Sequence, residues 1–243
     1  DKVYALSDQY KERNPFLGCR AIRFSFANIP LFKTQLRAIL RASAFGKVKL
    51  MFPMISTADE ILRAKEILEE VKETLRKDGI AFDEKIPVGI MIEVPSAALN
   101  ADILAHHVDF FSIGTNDLIQ YMLAVDRIGE KVAYLYNPVD LAVLRILKHI
   151  SEAAKEHNIP FSICGEIAGE PKYTMMLIGL GFRALSMSSA YMFQVKQIVR
   201  LVSVKECEEF VTRLLEYEKT SEADAFLQAT IREKFPFLSL QQG

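Results

Sequence analysis

The sequence predicts an α/β protein built on a parallel sheet, and three observations predict it. Five short runs rich in β-branched and aromatic residues recur along the chain, stretches with helical periodicity lie between them, and the two kinds of segment alternate. Near-continuous apolar runs of strand length indicate strands covered on both faces, and strand-helix-strand order implies right-handed crossovers.

The runs are Val48 to Phe52, Val88 to Ile92, Val108 to Ile113, Phe161 to Cys164 and Ala184 to Met187. Their spacing is too irregular for a sequence repeat and suits a barrel or an open sheet with inserted loops. A further strand is expected around Ala21 to Phe24.

The clearest helix runs from Thr57 to about Lys77, with Ile61, Leu62, Lys65, Leu68, Val71 and Leu75 at steps of three and four. Thr57 and Glu60 have capping-box spacing, and Gly79 is the stop. A second runs from about Val139 to His157, with Leu141, Leu144, Leu147 or Lys148, and Ile150 on one stripe and Pro138 just before it. Shorter helices fit Ser96 to His106, Glu170 to Leu180 and Met192 to Leu201. Lys205 to Tyr217 and Glu222 to Glu233 complete the set, the last capped by Ser221. No Ser-rich or Gly-rich linker and no charge block interrupts residues 1–243, so one domain is expected.

With 243 residues, half of them hydrophobic and a quarter charged, the chain can bury a full core. Thirty basic residues against 31 acidic ones give a net charge of −1, which argues against a nucleic-acid partner. Three cysteines are too few for a disulfide framework and indicate a reducing, cytoplasmic setting. The most apolar stretch, Met175 to Phe182, is stopped by Arg183 far short of the roughly 20 residues that span a bilayer, so no membrane role is expected. The chain starts at Asp1 without methionine, and a polar lead, Ser7 to Asn14, precedes its first apolar-rich segment. A fragment of a longer protein is the expectation.

In a parallel α/β protein, reactive groups collect just past the carboxyl ends of the strands, where loops converge on one ligand. Glu93 follows Ile92, Gly114-Thr-Asn-Asp117 follows Ile113, and Cys164-Gly-Glu166 ends the fourth run. Two carboxylates from neighbouring strand ends, Glu93 and Asp117, suit one hard divalent cation such as Mg²⁺, with water and substrate oxygens completing its octahedron. Alternatively, both cap the helices that follow. The turn around Asn116 favours an anion through backbone N–H groups. Cys164 is either a thiol at the mouth of a site or an inert small hydrophobe. Arg127, read alone, is a surface residue, and His106, His107, His149 and His157 receive no role.

Six ordered segments carry a family resemblance. Asn14-Pro-Phe-Leu-Gly-Cys-Arg-Ala-Ile-Arg23, Gln35-Leu-Arg-Ala-Ile-Leu-Arg-Ala-Ser43, Leu50-Met-Phe-Pro-Met-Ile55, Gly89-Ile-Met-Ile-Glu-Val-Pro-Ser-Ala97, Asp109-Phe-Phe-Ser-Ile-Gly-Thr-Asn-Asp-Leu118 and Cys164-Gly-Glu166 resemble the carboxy-terminal domain of phosphoenolpyruvate-protein phosphotransferases, enzyme I of the bacterial sugar phosphotransferase system. The resemblance covers essentially the whole chain. It implies a (β/α)8 TIM-type barrel that binds phosphoenolpyruvate (PEP) and Mg²⁺ and passes the phosphoryl group to a histidine on a separate domain, releasing pyruvate. By matching motif, Glu93 and Asp117 hold Mg²⁺, Asn116 and Arg127 the phosphate and Arg20 the phosphoryl oxygens. Cys164 protonates the enolate carbon. The resemblance also implies a homodimer, and a phosphocarrier partner reached through an amino-terminal domain that this chain lacks.

Two departures limit the resemblance. The family's first two strands each bring an arginine, whereas Asp1-Lys2 matches the end of the second, so the first two βα units are expected to be missing. No histidine here sits in the family's Thr-Ser-His context. The rivals are a fragment of pyruvate phosphate dikinase or phosphoenolpyruvate synthase, a non-catalytic dimerisation module, and an unrelated Mg²⁺-dependent lyase acting on 2-oxo acids.

Overall fold

The computed structural model describes residues 14–241. The segment around Asp1-Lys2 on which the missing-unit reading rests lies outside them. Contacts divide the described chain into two compact units, residues 14–48 with Ala64–Ile86, and Lys49–Arg63 with residues 87–241.

The first unit is helical. After a 3-10 turn at Pro15–Leu17 come α1 (Ala21–Ala27) and α2 (Ile29–Ser43), followed in the fold by the later turns of α3 (Ala58–Lys77). The expected strand at Ala21 to Phe24 is therefore corrected to helix. Local hydrogen bonding outweighs the β-like composition. The Ser25 hydroxyl donates to the Ala21 carbonyl at 3.2 Å, and the Asn28 amide closes the helix on the Phe24 carbonyl at 3.0 Å. Phe26 then packs edge-on against Phe32, the first buried residue of α2, at 6.3 Å. Ion pairs from Lys33 to Glu70 and Arg37 to Asp78 tie α2 to α3.

α3 starts where the capping box places it. Thr57 Oγ1 accepts from the Glu60 N–H at 3.4 Å, and the Glu60 carboxylate accepts from the Ser56 N–H at 2.6 Å and the Thr57 N–H at 3.3 Å. It ends at Gly79, whose φ of +66° only glycine adopts cheaply. Of its expected stripe, Ile61, Leu68, Val71 and Leu75 are buried while Leu62 is exposed.

The second unit carries the sheet. β1 (Leu50–Phe52), β2 (Val88–Ile92), β3 (Phe110–Gly114) and β4 (Phe161–Cys164) pair in parallel in chain order. Phe52 lies opposite Ile90, Ile92 opposite Ile113, and Gly114 opposite Cys164, so all four carboxyl ends share one edge. Phe52, Ile90, Ile92, Phe111, Ile113 and Ile163 are fully buried, as near-continuous apolar runs require. The fifth expected strand, Ala184 to Met187, is reduced to one parallel bridge between Leu185 and Ile163. The fold is of the expected α/β parallel type, and among the described residues the sheet is open rather than closed into a barrel.

The remaining helices are α4 (Pro95–Leu99), α5 (Ala101–Ala105), α6 (Thr115–Leu123), α7 (Leu141–Glu156), α8 (Glu166–Gly169), α9 (Thr174–Gly179), α10 (Ser189–Val199), α11 (Val204–Glu216) and α12 (Thr220–Lys234). The single helix expected over Ser96 to His106 breaks at Asn100, whose ψ of 25° ends α4 and starts α5. Asp140 caps α7 by accepting from the Ala142 N–H at 2.9 Å. Ser221 lies inside α12, whose N-cap position is Lys219, so the expected cap there is corrected. The full capping box belongs instead to α11, between Ser203 and Glu206.

Candidate functional site

Three strand ends and one strand-following loop come together through hydrogen bonds and one close approach of a carboxylate to the backbone. Two residues past β1, Met54 takes a left-handed φ of +55° and turns its N–H toward Glu93, donating to Oε1 at 2.7 Å. A β-unbranched side chain at positive φ is strained, and such strain persists where neighbours fix the backbone. Here the fixing partner is a carboxylate. Glu93 is only 6% exposed, and its Oε2 lies over Gly114, where an added Cβ would stand 2.7 Å from it. Gly114 is thus required by the close approach of the carboxylate from the next strand.

Gly114 is also the N-cap position of α6, whose first turn holds Asn116 and Asp117, the latter 8% exposed. The capping alternatives for the two carboxylates are therefore excluded. Val94, not Glu93, precedes α4, Gly114, not Asp117, precedes α6, and neither helix has a side-chain cap.

β4 delivers Cys164 beside β3. The Cys164 thiol donates to the Ile113 carbonyl at 3.3 Å and accepts from the Ser112 hydroxyl at 3.8 Å. Burial pushes the thiol above its ordinary value; the Ser112 hydrogen bond opposes this and the Glu93 charge adds to it. Burial and the Glu93 charge thus favour the protonated form of the Cys164 thiol. Thr115 Oγ1 donates to the Cys164 carbonyl at 2.7 Å, locking the two strand ends together. Gly165, at φ +96°, passes under Thr115 and Asn116 where a Cβ would collide with Thr115 Oγ1. The Glu166 N–H then donates to Asn116 Oδ1 at 2.9 Å, which fixes the amide so that its NH₂ is presented as a donor.

Arg127 stands on the loop after α6. Its N–H is held by buried Gln120 Oε1 at 3.1 Å, and its guanidinium, with a side chain 14% exposed, donates to Glu166 Oε1 at 3.2 Å. The Glu166 side chain is 67% exposed, so it is the solvated partner of this pair.

Of the residues singled out in the sequence, Glu93, Asn116, Asp117, Arg127 and Cys164 fall in the second unit; the Asn116, Arg127 and Cys164 segments are joined by these hydrogen bonds, Glu93 comes up against Gly114, and Asp117 follows Asn116 in the first turn of α6. Arg20 belongs to the first unit, at the N-cap position of α1, with its guanidinium 5.5 Å from the Phe16 ring. Sequence reasoning missed Met54 and Ser112. Only Met54 left a signal, as the residue after Pro53 at a strand end.

Among the described residues no group of three or more His, Cys, Asp or Glu side chains is placed to hold a metal ion. Two buried carboxylates from adjacent strand ends nevertheless fit a hard cation that keeps several of its own waters, as Mg²⁺ does. No helix among the described residues is long and apolar enough to cross a membrane.

Residues 1–204 match the family model described as PEP-utilising enzyme, PEP-binding domain. The chain is 46% identical over 230 residues to a phosphoenolpyruvate-protein phosphotransferase of Priestia megaterium, covering 95% of this chain and 40% of that protein. It is 43% identical over 233 residues to one of Haemophilus influenzae, covering 96% and 40%, and 46% identical over 222 residues to one of Bacillus subtilis, covering 91% and 39%. It therefore spans about two fifths of the length of these relatives. A solved citrate lyase of Burkholderia xenovorans shares the fold, with a TM-score of 0.50 and 17% identity over 83% of this chain and 68% of that one.

Proposed function

Because the chain belongs to the PEP-utilising enzyme family, as its PEP-binding domain, we propose that its strand-end site binds PEP together with Mg²⁺. We propose further that it serves a phosphotransferase passing the phosphoryl group to a histidine on another domain. The observation that supports this best is that Glu93, Asn116, Asp117 and Cys164 all stand at or just past neighbouring strand ends on one edge of a parallel sheet, with Arg127 tied to Glu166 beside Asn116. Phosphoryl transfer needs positive charge and donors around the equatorial oxygens and little covalent chemistry from the protein. The oriented Asn116 amide and the Arg127 guanidinium supply donors.

Glu93 and Asp117 would hold Mg²⁺, which when bound offsets the phosphoryl charge. Glu93 Oε1 already accepts from Met54, so Oε2 is the oxygen turned toward α6. Loss of the phosphoryl group leaves pyruvate as its enolate, which needs a proton on carbon. Cys164 is suited to give it, because burial keeps the thiol protonated beside the site. The sulfur then recovers its proton from solvent.

The proposal is tested by titrating the chain with PEP, with and without Mg²⁺, by calorimetry. Mg²⁺-dependent binding is expected, weaker than in the whole relatives. Absence of binding at millimolar PEP would sink the reading.

A further inference from the structure

We infer that the hydroxyl of Tyr136 is a further ligand-contacting group of this site, donating a hydrogen bond to a phosphoryl oxygen of the bound anion; this rests on the PEP reading above. Tyr136 closes the loop that begins with Arg127. The intervening 3-10 turn, Ala133–Leu135, leaves Tyr134 and Leu135 exposed and turns the Tyr136 hydroxyl inward. The turn is held by the Tyr136 N–H to the Ala133 carbonyl at 3.0 Å, and the exit by Asn137 Oδ1, which accepts from the Val139 N–H at 2.9 Å. The ring is therefore set by backbone geometry rather than by a partner for its oxygen.

That oxygen is buried and has no hydrogen-bond partner among the described residues. Buried hydroxyls without an acceptor are rare, because their lost hydration is not replaced. The charges of Glu166, Arg127 and Asp117 all act on it, so it shares their cluster. Burial first, and then Glu166, push the phenol well above its ordinary range, with Arg127 opposing. A neutral phenol can donate its O–H, whatever the shift. The acceptor it lacks has to be one brought in, and an anion drawn to Arg127 carries oxygens of the right kind. The phosphoryl group, and not the carboxylate of PEP, is the end assigned to Asn116 and Arg127.

Tyr136→Phe removes the oxygen and keeps the ring. In calorimetric titrations with Mg²⁺, this variant should bind PEP about 10–150-fold more weakly than the wild type, the usual effect of one lost hydrogen bond to a charged group. Its affinity for pyruvate, which lacks the phosphoryl group, should be unchanged, and its melting temperature unchanged or raised. In protein labelled with ¹³Cζ-tyrosine, the resonance that Tyr136→Phe removes should shift when PEP is added. Unchanged PEP affinity in Tyr136→Phe, while Arg127→Ala binds weakly, would overturn this inference and leave the site reading standing. A lowered melting temperature with unchanged affinity would assign the hydroxyl to the fold and overturn it equally. Failure of the wild type to bind PEP would remove both.

Discussion

At the scale of single residues, the site is organised by which atoms are already engaged. Glu93 is held by a backbone N–H from a strained turn, so its second oxygen has a fixed direction. Replacing Glu93 or Asp117 by the isosteric amide removes charge and keeps shape. Glu93→Gln and Asp117→Asn should each abolish Mg²⁺-dependent PEP binding while circular dichroism and melting stay near wild type. Unchanged binding in both would remove the metal assignment. Cys164 makes a second, pH-dependent prediction. Its thiol is pushed upward by burial, so the reactive thiolate appears only at pH above that of an ordinary cysteine. Iodoacetamide at neutral pH should modify exposed Cys19 well before Cys164, with Cys164 gaining only as pH rises. In a complete phosphotransferase carrying these residues, Cys164→Ala should slow pyruvate formation by about 10²–10⁴ and weaken PEP binding little. Turnover within a few-fold of wild type would place the acid elsewhere. The strand-end residues of this site were legible because a topological rule says where to look. Tyr136 and the Met54 N–H were not, because one returns on a loop and the other is a backbone group that any residue carries.

At the scale of elements, the sequence was most legible where pattern and local chemistry agreed. β2 and β4 have the expected limits, and α3 begins at its capping box. Reading failed where local bonds competed with composition. Ala21 to Phe24 looks like a strand, yet Ser25 and Asn28 satisfy the backbone of a short helix. Ala184 to Met187 has a strand's composition but only Leu185 meets a partner, through Ile163. The turn after β4 offers the sharpest test at this scale. Gly165→Ala would add a Cβ at φ +96° against Thr115 and Asn116. The strain costs about 1–3 kcal/mol, and the displaced Asn116 should lose its bond to Glu166. Both lower thermal stability and weaker PEP binding are expected from melting curves and titration. A variant that matches wild type in both would show that the turn tolerates a side chain. A milder loss, about 1 kcal/mol, is expected for Ser203→Ala, which removes the α11 cap without touching the site.

At the scale of the whole molecule, the open sheet sets the expectations. Among the described residues the last pairing of the sheet dwindles to one bridge, and open edges of this kind favour association with another chain. On α10, which follows, Tyr191, Met192 and Phe193 are exposed. The chain should therefore self-associate, and sedimentation at micromolar concentrations should show a dimer or larger species; a monodisperse monomer would count against this. No histidine of the chain lies in a Thr-Ser-His context, so incubation with labelled PEP and Mg²⁺ should leave the protein unlabelled. Stable phosphohistidine would mean that the acceptor lies within these residues. The sequential order of the strands carries one last consequence. During synthesis, each new strand leaves the ribosome after the neighbour it will pair with, so the sheet can grow from one side without waiting for distant chain. The ends that carry Glu93, Asp117 and Cys164 would then be assembled in the order in which they are translated, with the thiol added last to a carboxylate pair already in place.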